Sequence, residues 1–397
     1  MQYRHFKFLL GLTLIVAMVG KDYAYPNLTS AESSALGVSD TIYLYLPFIT
    51  KGFDTSSCYA WEGQVPLQTA VNDNICVLLR SGTWTTNEQI EIPSDHRLIG
   101  EGIGVTVLKA EAPWIGNGVD STVEAVVHNN GSQNVTIANF TVDANNLSTF
   151  GIGSSGITIN SVQIKNAKCD GIAISGVGVV IRQSIVEDNG KGCVNPMELL
   201  VPGSGIYAAK STTDTVPAYY SPTITGNTIR NNGGPGVDID RVWGGTFSNN
   251  TVQDNQAWAA VSIYAAGYWT IENNTIYHPP SADPTHPKHL RCMGGSSGSH
   301  SAALSICQDT GDTDQMAIYH SIRNNRIAGW YGIRLIGNDE ANLSWVPQFS
   351  TIQGNNVYGS YVGCADDHQV GQGSNNGDNV WTNNNCHGTS DTPPDYF

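Results

Sequence analysis

From about residue 120 onward, apolar and polar positions alternate in short runs, and the runs recur. One unit is a five-residue segment that opens on a small residue: GIAIS at 171, GIYAA at 205, GVDID at 236, AVSIY at 260, ALSIC at 303 and GIRLI at 332. A second unit reads apolar, any, any, Asn, any, apolar: ITGNTI at 224, FSNNTV at 247, IENNTI at 271 and IRNNRI at 322. A period of two means strand rather than helix. The interval from Asn227 to Asn250 is 23 residues and from Asn250 to Asn274 is 24, while the longer gap from Asn274 to Asn325 holds an insertion. Repeats of this length mark stacked arrays. Several short strands per repeat, joined by Gly and Asn turns, predict an all-β chain wound as a parallel β-helix.

In such a solenoid each coil stacks about 4.8 Å above the last, with Ile, Val and Leu pointing inward. An Asn repeated at one turn can bond the backbone of adjacent coils and tolerate left-handed geometry. Asn160, Gln183, Asn227, Asn250, Asn274, Asn325, Asn355 and Asn383 are the expected ladder. The early chain departs from the repeat. VPLQTAVNDN at 65 predicts a short helix, and the stretch from Trp61 to Ala110 is expected to cap the first coils, because an open end strand invites aggregation. The resulting organisation is an export signal over 1–24, a linker and N-terminal strand over 25–57 (TIYLYLPFI at 41), the β-helix over 58–390 and a tail over 391–397.

Arg4, His5 and Lys7 precede an apolar run from Phe8 to Gly20, too short for a membrane span and suited to an export signal. An uncleaved anchor is the alternative. Eight cysteines in an exported chain suggest disulfides, and they fall into neighbouring couples: Cys58 with Cys76, Cys169 with Cys193, Cys292 with Cys307, Cys364 with Cys386. No C-x-x-C spacing supports zinc. The expected location is secreted or cell surface. Acidic residues outnumber basic ones by 34 to 19, a net charge of -15, which argues against nucleic acid or an anionic membrane surface as partner. The oligomeric state is left open.

LLRSGTW at 78, IEIPSDHRLIGEGIGVTVL at 90, NFTVDANN at 139 and the repeated GI…NNTI units resemble the right-handed parallel β-helix proteins of the pectin lyase-like superfamily. That resemblance covers roughly residues 58–390. It implies the fold, and an activity among polysaccharide lyases, glycoside hydrolases, epimerases, phage tailspikes and non-catalytic surface proteins. The superfamily's Gly-His-Gly, Arg-Ile-Lys and adjacent Asp-Asp signatures are missing from the strand series, which argues against a pectinase.

Aligning the inward pairs of the strand series leaves two outward columns. One reads Ala173, Tyr207, Asp238, Ser262, Ser305, Arg334; the other reads Ser175, Ala209, Asp240, Tyr264, Cys307, Ile336. Long segments at 190–204, 211–221 and 277–302 flank this face and would wall a groove. Outward neighbours two apart on a strand sit about 6.5–7 Å apart, which matches the roughly 6.5–9.5 Å of an inverting glycosidase. Asp238 and Asp240 are therefore the candidate acid and base, with Arg241 and Lys210 beside them. Tyr207, Tyr264, Trp243 and Trp258 are candidate surfaces for sugar rings, and Arg334 a candidate clamp. The plain alternative is a solvated face whose carboxylates are neutralised by Arg241 and Lys210.

A lyase would use the same groove differently, with Ca²⁺ held by Asp238 and Asp240 and with Lys210, Arg241 or Arg334 as base or clamp. For a hydrolase no cofactor is expected. The predicted function is cleavage of an extracellular polysaccharide; the alternatives are a non-catalytic glycan binder and a uronan epimerase. Weaker candidates are Asp309, Asp312 and Asp314, the loop histidines His278, His286 and His289, the turn residue Asp143, and Asp366, Asp367 and His368.

Overall fold

A computed structural model of the chain describes residues 53–116, 124–193, 203–209, 219–256, 258–278, 302–307, 317–329, 331–336, 347–358, 362–366 and 379–386. The expected export signal, the linker and early strand up to residue 52, Lys210 and the C-terminal tail lie outside them, as do the 309–314 acidic run, His286, His289, Asp367 and His368.

After the first pair, Tyr59–Trp61 with Cys76–Leu79, successive strands do not pair with each other. Each pairs with the strand one repeat away, and every pairing is parallel, which generates three sheets. One coil shows the pattern. Ile206–Ala209 lies in the first sheet, Thr223–Thr225 in the second and Thr228–Arg230 in the third. Val237–Asp240 then returns to the first sheet, one rung on, with Tyr207 opposite Asp238. Among the described residues the first sheet has 10 strands, the second 12 and the third 11.

The alternation seen in the sequence sets this register, because a one-residue slip would turn every apolar side chain outward. Ile137, Ile159, Ile181, Ile224, Phe247 and Ile271 form one continuous inward row of the second sheet, each 2% exposed or less. Burying a side chain of this kind stabilises by roughly 1.5–3 kcal/mol, so the row is a large share of what holds the coils in stack. The only helix among the described residues, Leu67–Asp73, starts after Pro66 and buries Leu67, Ala70 and Val71 in the core of the first coils. No helix of the described residues is long and apolar enough to cross a membrane.

The asparagine ladder exists, but it departs from its expected register at both ends. The backbone N–H of Asn227 donates to Oδ1 of Asn250 (2.9 Å), Asn250 to Asn274 (2.9 Å), Asn274 to Asn325 (3.0 Å), Asn325 to Asn355 (3.0 Å) and Asn355 to Asn384 (2.9 Å). Asn384 therefore takes the place assigned to Asn383, and Ser184, which donates to Asn227, takes the place assigned to Gln183. Gln183, Asn249, Asn273, Asn324 and Asn383 are instead the left-handed residues of the turn, with φ between 51° and 57°. Asn160, expected as a rung, instead ends a strand of the second sheet, and Val162, whose N–H donates to Ser184 Oγ, stands at that rung. In each doublet the first residue bends the chain and the second inserts its amide.

A second ladder joins the third sheet to the first. Asn189 N donates to Asn232 Oδ1 and Asn232 N to Asn255 Oδ1, each at 3.1 Å. It explains the small residue that opens each repeat. A Cβ on Gly171, Gly205 or Gly236 would lie 2.7 Å from Nδ2 of Asn189, Asn232 or Asn255. Three disulfides match the expected couples: Cys58–Cys76, Cys169–Cys193 and Cys364–Cys386. Cys307 is also disulfide-bonded, to a partner outside the described residues.

Candidate active site on the first sheet

The two outward columns read from the sequence are the columns of the first sheet. Ala173, Tyr207, Asp238, Ser262, Ser305 and Arg334 pair in succession, and so do Ala209, Asp240, Tyr264, Cys307 and Ile336. The first column also extends backward through Gly153 and His128 to Glu91.

Burial divides these columns sharply. Beyond the Asp238–Asp240 strand, Ser262, Tyr264, Ser305, Cys307, Arg334 and Ile336 are all buried, although they point away from the core. Tyr264, Ala265, Cys307 and Ile336 form an apolar cluster of their own. Before that strand, Ala173, Tyr207 and Ala209 are half-buried and Ser175 is exposed. The two carboxylates stand at the boundary. Asp238 is 4% exposed, between Tyr207 on one rung and Ser262 on the next. Asp240 is half-buried and grips Arg241 through both oxygens: Nε donates to Oδ1 at 2.8 Å and Nη2 to Oδ2 at 3.1 Å. Adjacent residues can pair this way because the strand ends at Asp240 and Arg241 turns into the left-handed region (φ 57°).

Tyr207 is the centre of the electrostatics. Its burial pushes the phenol pKa well above the ordinary value, and the negative charges of Asp240, Asp238 and Asp170 push it further, against a smaller opposing effect of Arg241. The phenol therefore keeps its proton and can serve as a hydrogen-bond donor, not as a base. Asp170 is a member of this group that the sequence reading missed. It accepts from Ser204 N at 2.6 Å through Oδ1, directly before the GIAIS strand. Its signal was its position: it is the residue just ahead of the small residue that opens a repeat. Among the described residues, no group of three or more His, Cys, Asp or Glu side chains could hold a metal ion.

With this geometry in view, comparison with known proteins is informative about the fold. The family model described as a right-handed beta helix region matches residues 198–282. Solved structures align over most of the chain. The ORF18 protein of Geobacillus virus E2 is 15% identical, with a TM-score of 0.54, over 80% of this chain and 56% of that one. An alginate lyase from Paenibacillus sp. is 14% identical, with a TM-score of 0.51, over 76% of this chain and 95% of that one. This chain thus spans little more than half of the viral protein's length. No curated protein matches the sequence.

The chain folds as a right-handed parallel β-helix. Within the β-helix, the remaining expected binding residues are placed as follows. Tyr264 adjoins Asp240 but is buried in the outer apolar cluster. Trp243 follows Arg241 at the corner between the first and second sheets. It is 7% exposed and packed between Tyr219 (ring centroids 5.6 Å apart) and Tyr268 (5.4 Å). Trp258 is buried beside Ala259. Both Trp rings are occupied by packing, which differs from the expected open sugar surfaces. Arg334 is three rungs from Asp238, about 14 Å, with its guanidinium over the Tyr331 ring at 4.7 Å. Asp143 ends a strand and accepts from Asn145 N (3.0 Å) and Asn166 Nδ2 (2.9 Å), a turn role as expected. His278 is fully buried.

Proposed function

We propose that this β-helix is a secreted glycoside hydrolase that cuts a polysaccharide laid along the outer face of the first sheet. The observation that carries this reading is the pair Asp238 and Asp240, two outward carboxylates on one strand in unlike surroundings. Asp238 is buried beside the Tyr207 phenol; Asp240 is half-buried and compensated by Arg241. Two carboxylates in unlike surroundings are how one site supplies both a general acid and a general base. Their i, i+2 placement corresponds to about 6.5–7 Å, room for a water between base and sugar. Asp238 would protonate the leaving oxygen, and Asp240 would take the proton of the attacking water. Tyr207 would donate to the sugar.

Elimination is less well supported. It needs a base to take the proton beside a uronate carboxylate and a cation to neutralise that carboxylate. Here the tyrosine is driven away from the anionic form, and Arg241 is already tied to Asp240. Disulfides in three couples support an oxidising, extracellular setting. The test is incubation with a polysaccharide panel, with and without Ca²⁺, reading reducing ends and the absorbance of unsaturated sugars together. New reducing ends without the unsaturated signal support hydrolysis. Both signals would assign a lyase and shift attention to Lys210, Arg241 and Arg334. Neither signal would leave a glycan-binding β-helix.

A further inference from the structure

The outer column of the first sheet does not end at Tyr207. Three rungs before it, about 14 Å away, lies His128, and one rung further lies Glu91. The Glu91 carboxylate holds both oxygens 3.2 Å from His128 Nδ1. The backbone N–H of Asn130 also points at Nδ1, at 3.2 Å. Nδ1 is thus fully engaged on the protein side. The two Glu91 oxygens call for a proton on Nδ1; Nε2 is then a donor in the imidazolium and an acceptor in the neutral ring, and in the other neutral tautomer, where Nδ1 accepts from Asn130, Nε2 is again a donor. In each arrangement Nε2 is a hydrogen-bonding atom, and it has no hydrogen-bond partner among the described residues.

The floor beside it is cut to fit. The forward edge of the imidazole lies over Gly153, where a Cβ would meet Cδ2 at 2.4 Å and Nε2 at 3.3 Å. The next rung is the small, half-buried Ala173 and the next is Tyr207. Glu91 is held in its charged form despite partial burial. Burial pushes its pKa up, but the hydrogen bond and charge of His128, with the Gln89 amide, outweigh that and bring it below the ordinary value. The pair therefore holds an oriented hydrogen-bonding nitrogen on the same outward column as Tyr207 and Asp238.

We infer that His128, positioned by Glu91 and seated on Gly153, is a distal binding site that hydrogen-bonds through Nε2 to an oxygen of a sugar unit several residues along the chain from the bond cut at Asp238, to a hydroxyl in either charge state of the ring and to a carboxylate as the imidazolium. This rests on the reading of the first sheet as a glycan groove. It implies an endo-acting preference for long chains, since a short oligosaccharide bound at Asp238 would not reach about 19 Å to His128.

The test is footprinting of His128 with diethyl pyrocarbonate on the full chain, alone and with alginate, pectate or a neutral glucan, with turnover read in the same samples. Protection by an acidic polymer identifies a carboxylate acceptor, and protection by the glucan a hydroxyl; either upholds the site. Turnover without protection overturns the inference and leaves the hydrolase reading. Protection without turnover upholds the inference and overturns that reading. Neither overturns both. On a polymer that is cut, His128→Gln is expected to raise KM about five- to tenfold with kcat changed less than about twofold, the scale of one hydrogen bond. Gly153→Ala, which keeps His128 but displaces its ring, should reproduce that split. An unchanged KM in both variants would contradict the inference.

Discussion

The two halves of the first sheet's outer face are built from the same repeat and end in opposite states. Before the Asp238–Asp240 strand, the outward positions are Gly153, Ala173, Ser175, Tyr207 and Ala209, mostly small and in part open to solvent. After it they are Ser262, Tyr264, Ser305, Cys307, Arg334 and Ile336, all buried. The inward Ile, Val and Leu pairs do not change across this boundary. The core therefore sets the shape of the solenoid, while the outward residues decide where a ligand can lie. The carboxylates fall at the junction, where one side offers a covered, low-water wall and the other an open floor. Charge interactions are stronger beside such a wall, which is where acid–base groups are most usefully placed.

The comparison can be broken most strongly at its boundary. Asp238→Asn or Asp240→Asn is expected to lower turnover roughly 10²- to 10⁴-fold with an unchanged circular dichroism spectrum. A change of less than tenfold in both would remove them from the chemistry. The next largest effect separates the halves by stability. Ile336→Ala, in the covered half, should cost about 2–5 kcal/mol in denaturant unfolding, whereas Ser175→Ala, in the open half, should stay within about 0.5 kcal/mol. Equal costs would mean the two faces are not differently covered.

Two pH effects sharpen the picture further. Tyr207 has a raised pKa in the folded chain, so its contribution to stability is complete below the unfolded value of about 10 and is lost as pH rises above it. Tyr207→Phe should flatten that alkaline limb of the melting-temperature profile. Glu91 has a lowered pKa, so its contribution is present above the ordinary carboxylate value of about 4.3 and fades as pH falls through the folded one. Glu91→Gln should remove only a slight acid-side slope, because the pair is partly open to water and screened.

Much of this site was legible in the sequence because the strand period is two. Once Val237 and Ile239 are taken as inward, Asp238 and Asp240 must face out, and the neighbours Tyr207 and Tyr264 follow from the register. The asparagine ladder was harder. In an Asn-Asn doublet the composition of the two positions is the same, and only backbone geometry separates the left-handed turn residue from the one that inserts its amide; hence Asn384 and Ser184 where Asn383 and Gln183 were expected. The reason for the opening glycines was hidden for a related cause. The side chains that need their space, Asn189, Asn232 and Asn255, lie 18, 27 and 19 residues further along the chain. His128 and Glu91 escaped notice because they lie in early coils whose sequences do not share the GI…NNTI pattern, so no alignment of motifs brings them into the column. Coverage of the far half left only an indirect trace, in the uncharged Ser262, Ser305, Cys307 and Ile336 of its columns.

The most direct measurement is hydrogen exchange of the Asp238→Asn chain with and without the polysaccharide that the unaltered protein cuts. Slowed exchange in the strands Phe150–Ser154, Ile172–Ile174 and Ile206–Ala209, with no change in Ala302–Cys307 and Tyr331–Ile336, is the expected result. Protection confined to the covered strands, or absent from the first sheet altogether, would contradict a groove that runs along the open half to the two carboxylates.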